Sequence, residues 1–299
     1  MRVHEPHAIR DFGIRTVTAL AMGSVLLAAD LWGGIGGWAV AVAVVAALCA
    51  TEFYAFVRTE HRKPNEVFGV VAAATMPLAT AFYAAQTPTG TEVSLVSQYG
   101  AVGLTAVTGG LVLAALMWNV AFKQVSAADT TTTVFGAVYT GFMLSHLVLL
   151  WALDNGAELV IITLCSVWAM DVFAYLVGSA IGTHALAPHI SPKKSWEGFL
   201  AGAVGTIAVW AIGWYVVVYL PTPPGGTPAI AWSWFLLTGV VVAVAALFGD
   251  LTESRLKREV HVKDSGHLLP GHGGFLDRFD SLILVSIVVY YMLLFGGAR

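Results

Sequence analysis

Residues 230–250 read "IAWSWFLLTGVVVAVAALFGD", twenty residues without a charge and then an aspartate. A bilayer core about 30 Å thick is crossed by roughly 20 apolar residues in a helix, because a helix satisfies its own backbone hydrogen bonds in hydrocarbon. The stretch therefore reads as a membrane span. Eight further runs of this kind lie at about 14–31, 35–57, 67–86, 100–121, 132–152, 158–181, 197–220 and 279–296. The whole chain agrees: 58% of its 299 residues are hydrophobic and 11% charged, with a mean hydropathy of +0.78, far from the composition of soluble domains. The expected fold is an all-α, polytopic integral membrane protein with nine transmembrane helices.

Basic residues precede the first run, as in a signal peptide, but the run is long and no small-residue cleavage site ends it, so it counts as a span. Orientation follows from lysine and arginine in alternate loops. Arg2, Arg10, Arg15, Arg58, Arg62, Lys63, Lys123, Lys193, Lys194, Arg255, Lys257, Arg258, Lys263 and Arg278 fall on the N-terminal side, and of the 15 basic residues only Arg299 falls opposite. Merging or adding one span would scatter them over both sides. The N-terminus is thus expected in the cytoplasm, and a bacterial cytoplasmic membrane fits the chain. The net charge of -3 says little about partners, and no nucleic-acid partner is expected.

The chain divides into two chemical halves. Residues 1–157 form helices rich in Ala, Val, Leu and Gly, a scaffold by default, whereas polar residues concentrate in 158–299, the expected catalytic region. Residues 1–13 read as a surface segment or a frayed terminus, and "PTPPGGTPA" at 221–229 as a connector. Cys49 and Cys165 lie in apolar runs and read as small hydrophobes. His146, alone in an apolar run, reads as a packing residue.

Three polar constellations stand out. Asp171 lies inside the sixth run, where a carboxylate costs at least about 2.5 kcal/mol to insert; it should face a cavity or, on the plainer reading, hydrogen-bond a neighbouring helix. In "HISPKKSWEGFLAG" (189–202), Pro192 starts a turn, Ser195 can cap the seventh helix, and Gly198, Ala201 and Gly202 suit close packing. Lys193 and Lys194 stand before that helix N-terminus, which already favours an anion. Such small-residue helices also permit a homodimer without requiring one.

The third constellation is "FGDLTESRLKREVHVKDSGHLLPGHGGFLDRFDS" (248–281). If the eighth helix runs on, Asp250, Ser254, Lys257 and Arg258 share one stripe at i, i+4, i+7 and i+8. Asp277 and Asp280, three apart, share a face at the start of the ninth, with Arg278 between them. Asp250, Asp277 and Asp280 are therefore expected to converge on one cation. Carboxylates without cysteine suit Mg²⁺, and the surrounding bases make sense if phosphates complete the site. Gly271, Gly273 and Gly274 would let backbone approach those phosphates. No GxxxxGK[ST] or GxGxxG motif occurs, and His261, His267 and His272 match no zinc spacing.

"SRLKREVHVKDSGHLLPGHGGFLDRFDS" closely resembles the C-terminal signature of phosphatidate cytidylyltransferases (CDP-diacylglycerol synthases): a Ser, a Lys-Arg pair, a Lys-Asp pair, a Pro-Gly-His-Gly-Gly turn and an Asp-Arg-x-Asp end, in that order. "DVFAYLVGSAIGTHALAPHISPKKSWEGFLAG" is similar to that family's second conserved region. The resemblance covers about residues 171–281. Family members often carry basic residues where Ser179 and Thr183 stand here, and often Thr where Ser195 stands.

The resemblance implies that CTP and phosphatidate give CDP-diacylglycerol and pyrophosphate, with membrane lipids as surroundings and Mg²⁺ as cofactor. It implies Asp250, Lys263, Asp264, Asp277 and Arg278 as catalytic, and Ser191, Lys193, Lys194, Ser254, Lys257, Arg258, His272, Gly273 and Gly274 as substrate-binding. Asp250, Asp277 and Asp280 would hold the metal. Asp264 and Glu197 would orient the bases, and Asp171 would line the lipid side or assist a second cation.

Two other readings use the same residues. A transporter would run a cation past Asp171 and the carboxylates, but the polar groups gather at one level and no inverted repeat is visible. Another metal-dependent transferase acting on a polyprenyl phosphate would need the same groups.

Overall fold

The computed structural model describes residues 21–58, 63–86, 93–222, 230–262, 265–266 and 273–297. Among these, the helices are α1 (Ala21–Trp32), α2 (Gly34–Val57), α3 (Glu66–Ala85), α4 (Val93–Ala121), α5 (Ala127–Trp151), α6 (Gly156–Ile181), α7 (Trp196–Tyr219), α8 (Trp232–Glu259) and α9 (Leu276–Phe295). All but α1 are long and apolar enough to cross a membrane; α1 is the described part of the first expected run. The all-α polytopic reading holds.

Three boundaries differ from expectation for local reasons. α5 starts at Ala127 rather than near 132, because Ser126 and Asp129 cap it reciprocally: Ser126 Oγ accepts from Asp129 N at 3.1 Å and Asp129 Oδ2 from Ser126 N at 3.0 Å. The hydroxyls of Thr130, Thr131, Thr132 and Thr133 donate to carbonyls four residues back, so they are satisfied within the helix. α9 starts at Leu276 rather than 279, with Asp277 in its first turn, where a carboxylate suits the helix dipole. A short antiparallel hairpin, β1 (Ala185–Ala187) and β2 (Ser191–Ser195), joins α6 to α7, where a turn alone was expected.

Hydrogen bonds fix the alternation of the spans. At one end of the bundle, tryptophan indoles donate across helices: Trp38 to Leu147 O at 3.1 Å, Trp214 to Ile230 O at 2.9 Å and Trp234 to Met292 O at 2.6 Å. At the other, Lys63 N donates to Asp129 Oδ1 and Asn65 N to Thr133 Oγ1, both at 2.8 Å, and Arg58 pairs with Glu66. This second end collects the end of α2, the starts of α3 and α5, the hairpin, the end of α8 and the start of α9. The described basic residues from Arg58 to Arg278 sit there.

α2, α5 and α9 form the centre. Trp38, Phe53, Tyr54, Tyr139, Leu144, Leu149 and Ile283 are buried together in one core that joins the two halves of the chain. Around it, α6 and α7 pack backbone to backbone: a Cβ on Gly198 would stand 2.7 Å from Ala174 O, and one on Gly202 2.7 Å from Met170 O. The small residues that would permit a homodimer are thus used within the chain. His146 packs against Phe142, Tyr290 and Tyr291, with Nδ1 3.0 Å from Phe142 O.

Candidate active site

Within the polar end, the site is built from the starts of α7 and α9 and the end of α8. Ser195 caps α7, its Oγ accepting from Gly198 N at 3.2 Å, so the preceding β2 carries Lys193 and Lys194 to that N-terminus. Lys194 Nζ pairs with Asp250 Oδ2. Asp250 Oδ1 accepts from Ser254 Oγ at 3.2 Å, one turn along α8, so the first two members of the expected stripe meet.

α8 meets α9 at Gly249, where a Cβ would stand 2.6 Å from Asp280 O and 2.7 Å from Ser281 Cα. Only a residue without a side chain allows this approach. It sets Asp250 beside Asp280, whose Oδ1 accepts from Ser281 N at 2.5 Å. From α6, Asp171 lies within electrostatic reach of Asp250, Lys194 and Arg278, and Asp280 feels Asp250, Asp171 and Lys194. Three carboxylates and the bases that balance them therefore share one region.

Beside them opens a cavity of about 480 Å³ between α6, α7, α8 and the hairpin. Asp171, Ser179, Lys193, Lys194, Asp250 and Ser281 give it polar walls, while Met170, Ala174, Phe199, Ala246 and Leu247 give it apolar ones. Its wall residue Tyr175 is 73% exposed and the neighbouring Leu200 60% exposed on the outer surface of the bundle. Such a cavity suits a ligand with a charged head and a hydrocarbon body.

Asp277 lies elsewhere. Its Oδ1 is 2.5 Å from Lys257 Nζ, and its Oδ2 accepts from Gly274 N at 2.8 Å and Ser265 N at 3.2 Å. Lys257 also pairs with Glu253 at 2.6 Å, the side chains of Lys257, Glu253 and Asp277 being 12%, 1% and 11% exposed. The carboxylates expected to form one triad are thus divided, with Asp250 and Asp280 at the cavity side and Asp277 in a buried ion network. Among the described residues no group of three or more His, Cys, Asp or Glu side chains is arranged to hold a metal ion.

The remaining expected residues scatter around this frame. Ser191 lies in β2; Arg278 and Arg258 are exposed, and Arg258 Nη1 donates to Val262 O at 3.4 Å. Glu197 does not touch the lysines: it accepts from Thr183 Oγ1 at 2.8 Å and lies 2.6 Å from His184 Nδ1, tying the hairpin to α7. Thr183 thus spends its hydroxyl on Glu197, and Ser179 Oγ donates to Leu176 O at 3.2 Å. Gly273 has φ +80°, the left-handed region that glycine tolerates. Lys263, Asp264, Gly271 and His272 lie outside the described residues.

Sequence reasoning missed Glu253 and Glu52. Glu253 stands four residues before Lys257, the spacing of a helical ion pair. Glu52, an acid inside an uncharged run, carried the signal that singled out Asp171, but its half of the chain read as scaffold. In the structure Glu52 is 3% exposed, and its Oε2 accepts from Ser265 Oγ at 2.9 Å and Leu276 N at 2.8 Å.

A model described as "Cytidylyltransferase family" matches residues 13–295. The chain belongs to the cytidylyltransferase family. Among its relatives, the phosphatidate cytidylyltransferase of Mycobacterium leprae is 31% identical over 306 residues, 96% of this chain and 89% of that protein. That of Synechocystis is 30% identical over 291 residues, 86% of this chain and 89% of that protein. That of Mycobacterium bovis is 36% identical over 210 residues, a match spanning 65% of each chain. The match to the Mycobacterium tuberculosis protein spans 61% of that protein's length. Membership of this family of nucleotidyltransferases bears out the resemblance read from the motifs between 171 and 281.

Proposed function

We propose that the protein is a phosphatidate cytidylyltransferase of a bacterial cytoplasmic membrane, with the basic end of the bundle facing the cytoplasm. The observation that carries this reading is the cavity whose walls pass from Met170, Phe199 and Leu247 to Lys193, Lys194 and Asp250. It offers hydrocarbon contact and phosphate-binding charge within one ligand's length, next to a face that a soluble nucleotide can reach. Family membership supports the same substrates, CTP and phosphatidate.

A phosphatidate oxygen attacks the α-phosphorus of CTP. The new O–P bond forms as the bond to the bridging oxygen breaks, and pyrophosphate leaves with that electron pair. No protein nucleophile is needed. Lys193 and Lys194, at the N-terminus of α7, hold the lipid phosphate, and Arg278, exposed beside the acids, meets the triphosphate. Lys257 is not assigned this task, because its ammonium pairs with Glu253 and Asp277.

Asp250 and Asp280 would hold Mg²⁺. Their like charges, Asp250 in the cavity wall and Asp280 beside it, fit a hard cation, which takes one or two protein carboxylates and completes its shell with substrate oxygens and water. When bound, the ion would supply charge neutralisation on the phosphates. Asp171, in the cavity wall on α6, adds to the negative field and suits a second cation.

Formation of lipid-linked CMP from labelled CTP by purified protein in phosphatidate micelles, with and without Mg²⁺, tests this. Metal-dependent product is expected. Folded protein that gives no product with any divalent metal, or product only with polyprenyl phosphate, would overturn it.

A further inference from the structure

Helix α9 begins without a cap of its own: Phe275 at its N-cap position makes no side-chain hydrogen bond. The first backbone N–H groups of a helix have no partner within it. Here the first of them, Leu276 N, is met by Glu52 Oε2 from α2, 224 positions earlier in the chain. The same oxygen accepts from Ser265 Oγ, while Ser265 N donates to Asp277 Oδ2. Ser265 is thus held between two carboxylates, one from each half of the protein.

Two glycines complete the seat. A Cβ on Gly266 would stand 2.5 Å from Glu52 Oε1, and one on Gly274 2.6 Å from Glu52 Oε2. At Gly274 the nearest atom to such a Cβ would be Ser265 Oγ, at 1.8 Å, so the packing of Ser265 and Glu52 already requires a glycine there. Among the described residues, the Glu52 carboxylate is hydrogen-bonded by Ser265 and by Leu276 at the start of α9, and Oε1 has no partner.

We infer that Glu52 is a positioning residue: by capping α9 from α2 and clasping Ser265, it sets where the first turn of α9 stands against α8, and so the placement of Asp280 beside Asp250. Its action is that of a two-bond acceptor at a fixed place. This rests on the reaction proposed above only in its effect on turnover; the clasp itself is independent of the substrate.

The test compares wild type with Glu52→Gln, Glu52→Ala and Ser265→Ala in detergent micelles, by amide hydrogen exchange over 273–280 and by steady-state turnover with CTP and phosphatidate. Glu52→Ala should speed exchange at the start of α9 and lower kcat about 10²-fold with KM for CTP changed less than about threefold, the size expected of a misplacement near 1 Å. Glu52→Gln keeps an acceptor and should restore kcat to within about threefold of wild type. Ser265→Ala should give a smaller loss, and its combination with Glu52→Ala should cost little more than Glu52→Ala alone. If Glu52→Ala does not fold, Glu52→Gln and Ser265→Ala carry the comparison. Unchanged exchange, faster exchange with wild-type kcat, or a glutamine variant as slow as the alanine one would overturn the inference. An inactive wild type would instead overturn the proposed reaction, and exchange would still decide the clasp.

Discussion

Lys194 and Asp250 form an ion pair that ties the β1–β2 hairpin to the polar-end part of α8. Both also line the cavity, so the pair has two uses that can be separated. Lys194→Met and Asp250→Asn should each lower kcat/KM by about 10²-fold or more, the scale for removing a charge aimed at the reacting groups. The exchanged pair, Lys194→Asp with Asp250→Lys, restores the bridge but reverses the charge offered to substrate, and should stay as slow. Recovery in the exchanged protein, read from labelled CTP entering lipid, would reduce the pair to a structural tie.

Lys257 is enclosed by acids. Lys257→Met leaves Glu253 and Asp277, 1% and 11% exposed, without their counter-charge. A buried pair broken from one side costs about 3–5 kcal/mol, so the apparent Tm in detergent should fall clearly. Adding Glu253→Gln removes one orphaned charge and should return part of that loss. A Lys257→Met protein as stable as wild type would mean that the ammonium belongs to substrate after all.

Gly198 lines the cavity and touches the backbone of α6. Gly198→Val forces the two helices apart at an overpacking cost of about 1–3 kcal/mol. Because the displaced wall is that of the cavity, KM for phosphatidate should rise more than KM for CTP. Equal effects on both, measured by varying each substrate at saturation of the other, would place the lipid elsewhere.

Much of this architecture was legible because the bilayer imposes one rule on every span. Run length found the helices, and alternation of Lys and Arg anticipated the end at which Lys63, Lys194 and Arg278 gather. The stripe of Asp250 and Ser254 was legible from helical spacing alone. What spacing could not show was depth of packing. Asp277 and Asp280 share a face by number, yet Gly249 brings α8 against Asp280 while Lys257 reaches Asp277, which divides them. Glu52 was invisible as part of this end because its partners, Ser265 and Leu276, lie more than two hundred residues away. Only closure of the whole bundle brings them together.

Mg²⁺ removal gives a further check. Chelation should abolish turnover, and added Mg²⁺ should restore it. Asp280→Asn should raise the half-activating Mg²⁺ concentration by at least about tenfold. Glu197→Gln, which alters only the hairpin tie, should leave that concentration unchanged. A wild-type metal requirement in the Asp280 variant would move the ion to other ligands.

The hydrogen bond from Leu276 N to Glu52 also bears on biosynthesis. A ribosome delivers α2 to the membrane long before it has made α9, so the Glu52 carboxylate enters the bundle with its eventual donors still unsynthesised. Arrival of α9 supplies them and brings Asp280 against Asp250 in the same event. The nascent protein therefore lacks the pairing of Asp250 with Asp280 while α2 to α8 are being inserted, and gains it only once α9 has been made.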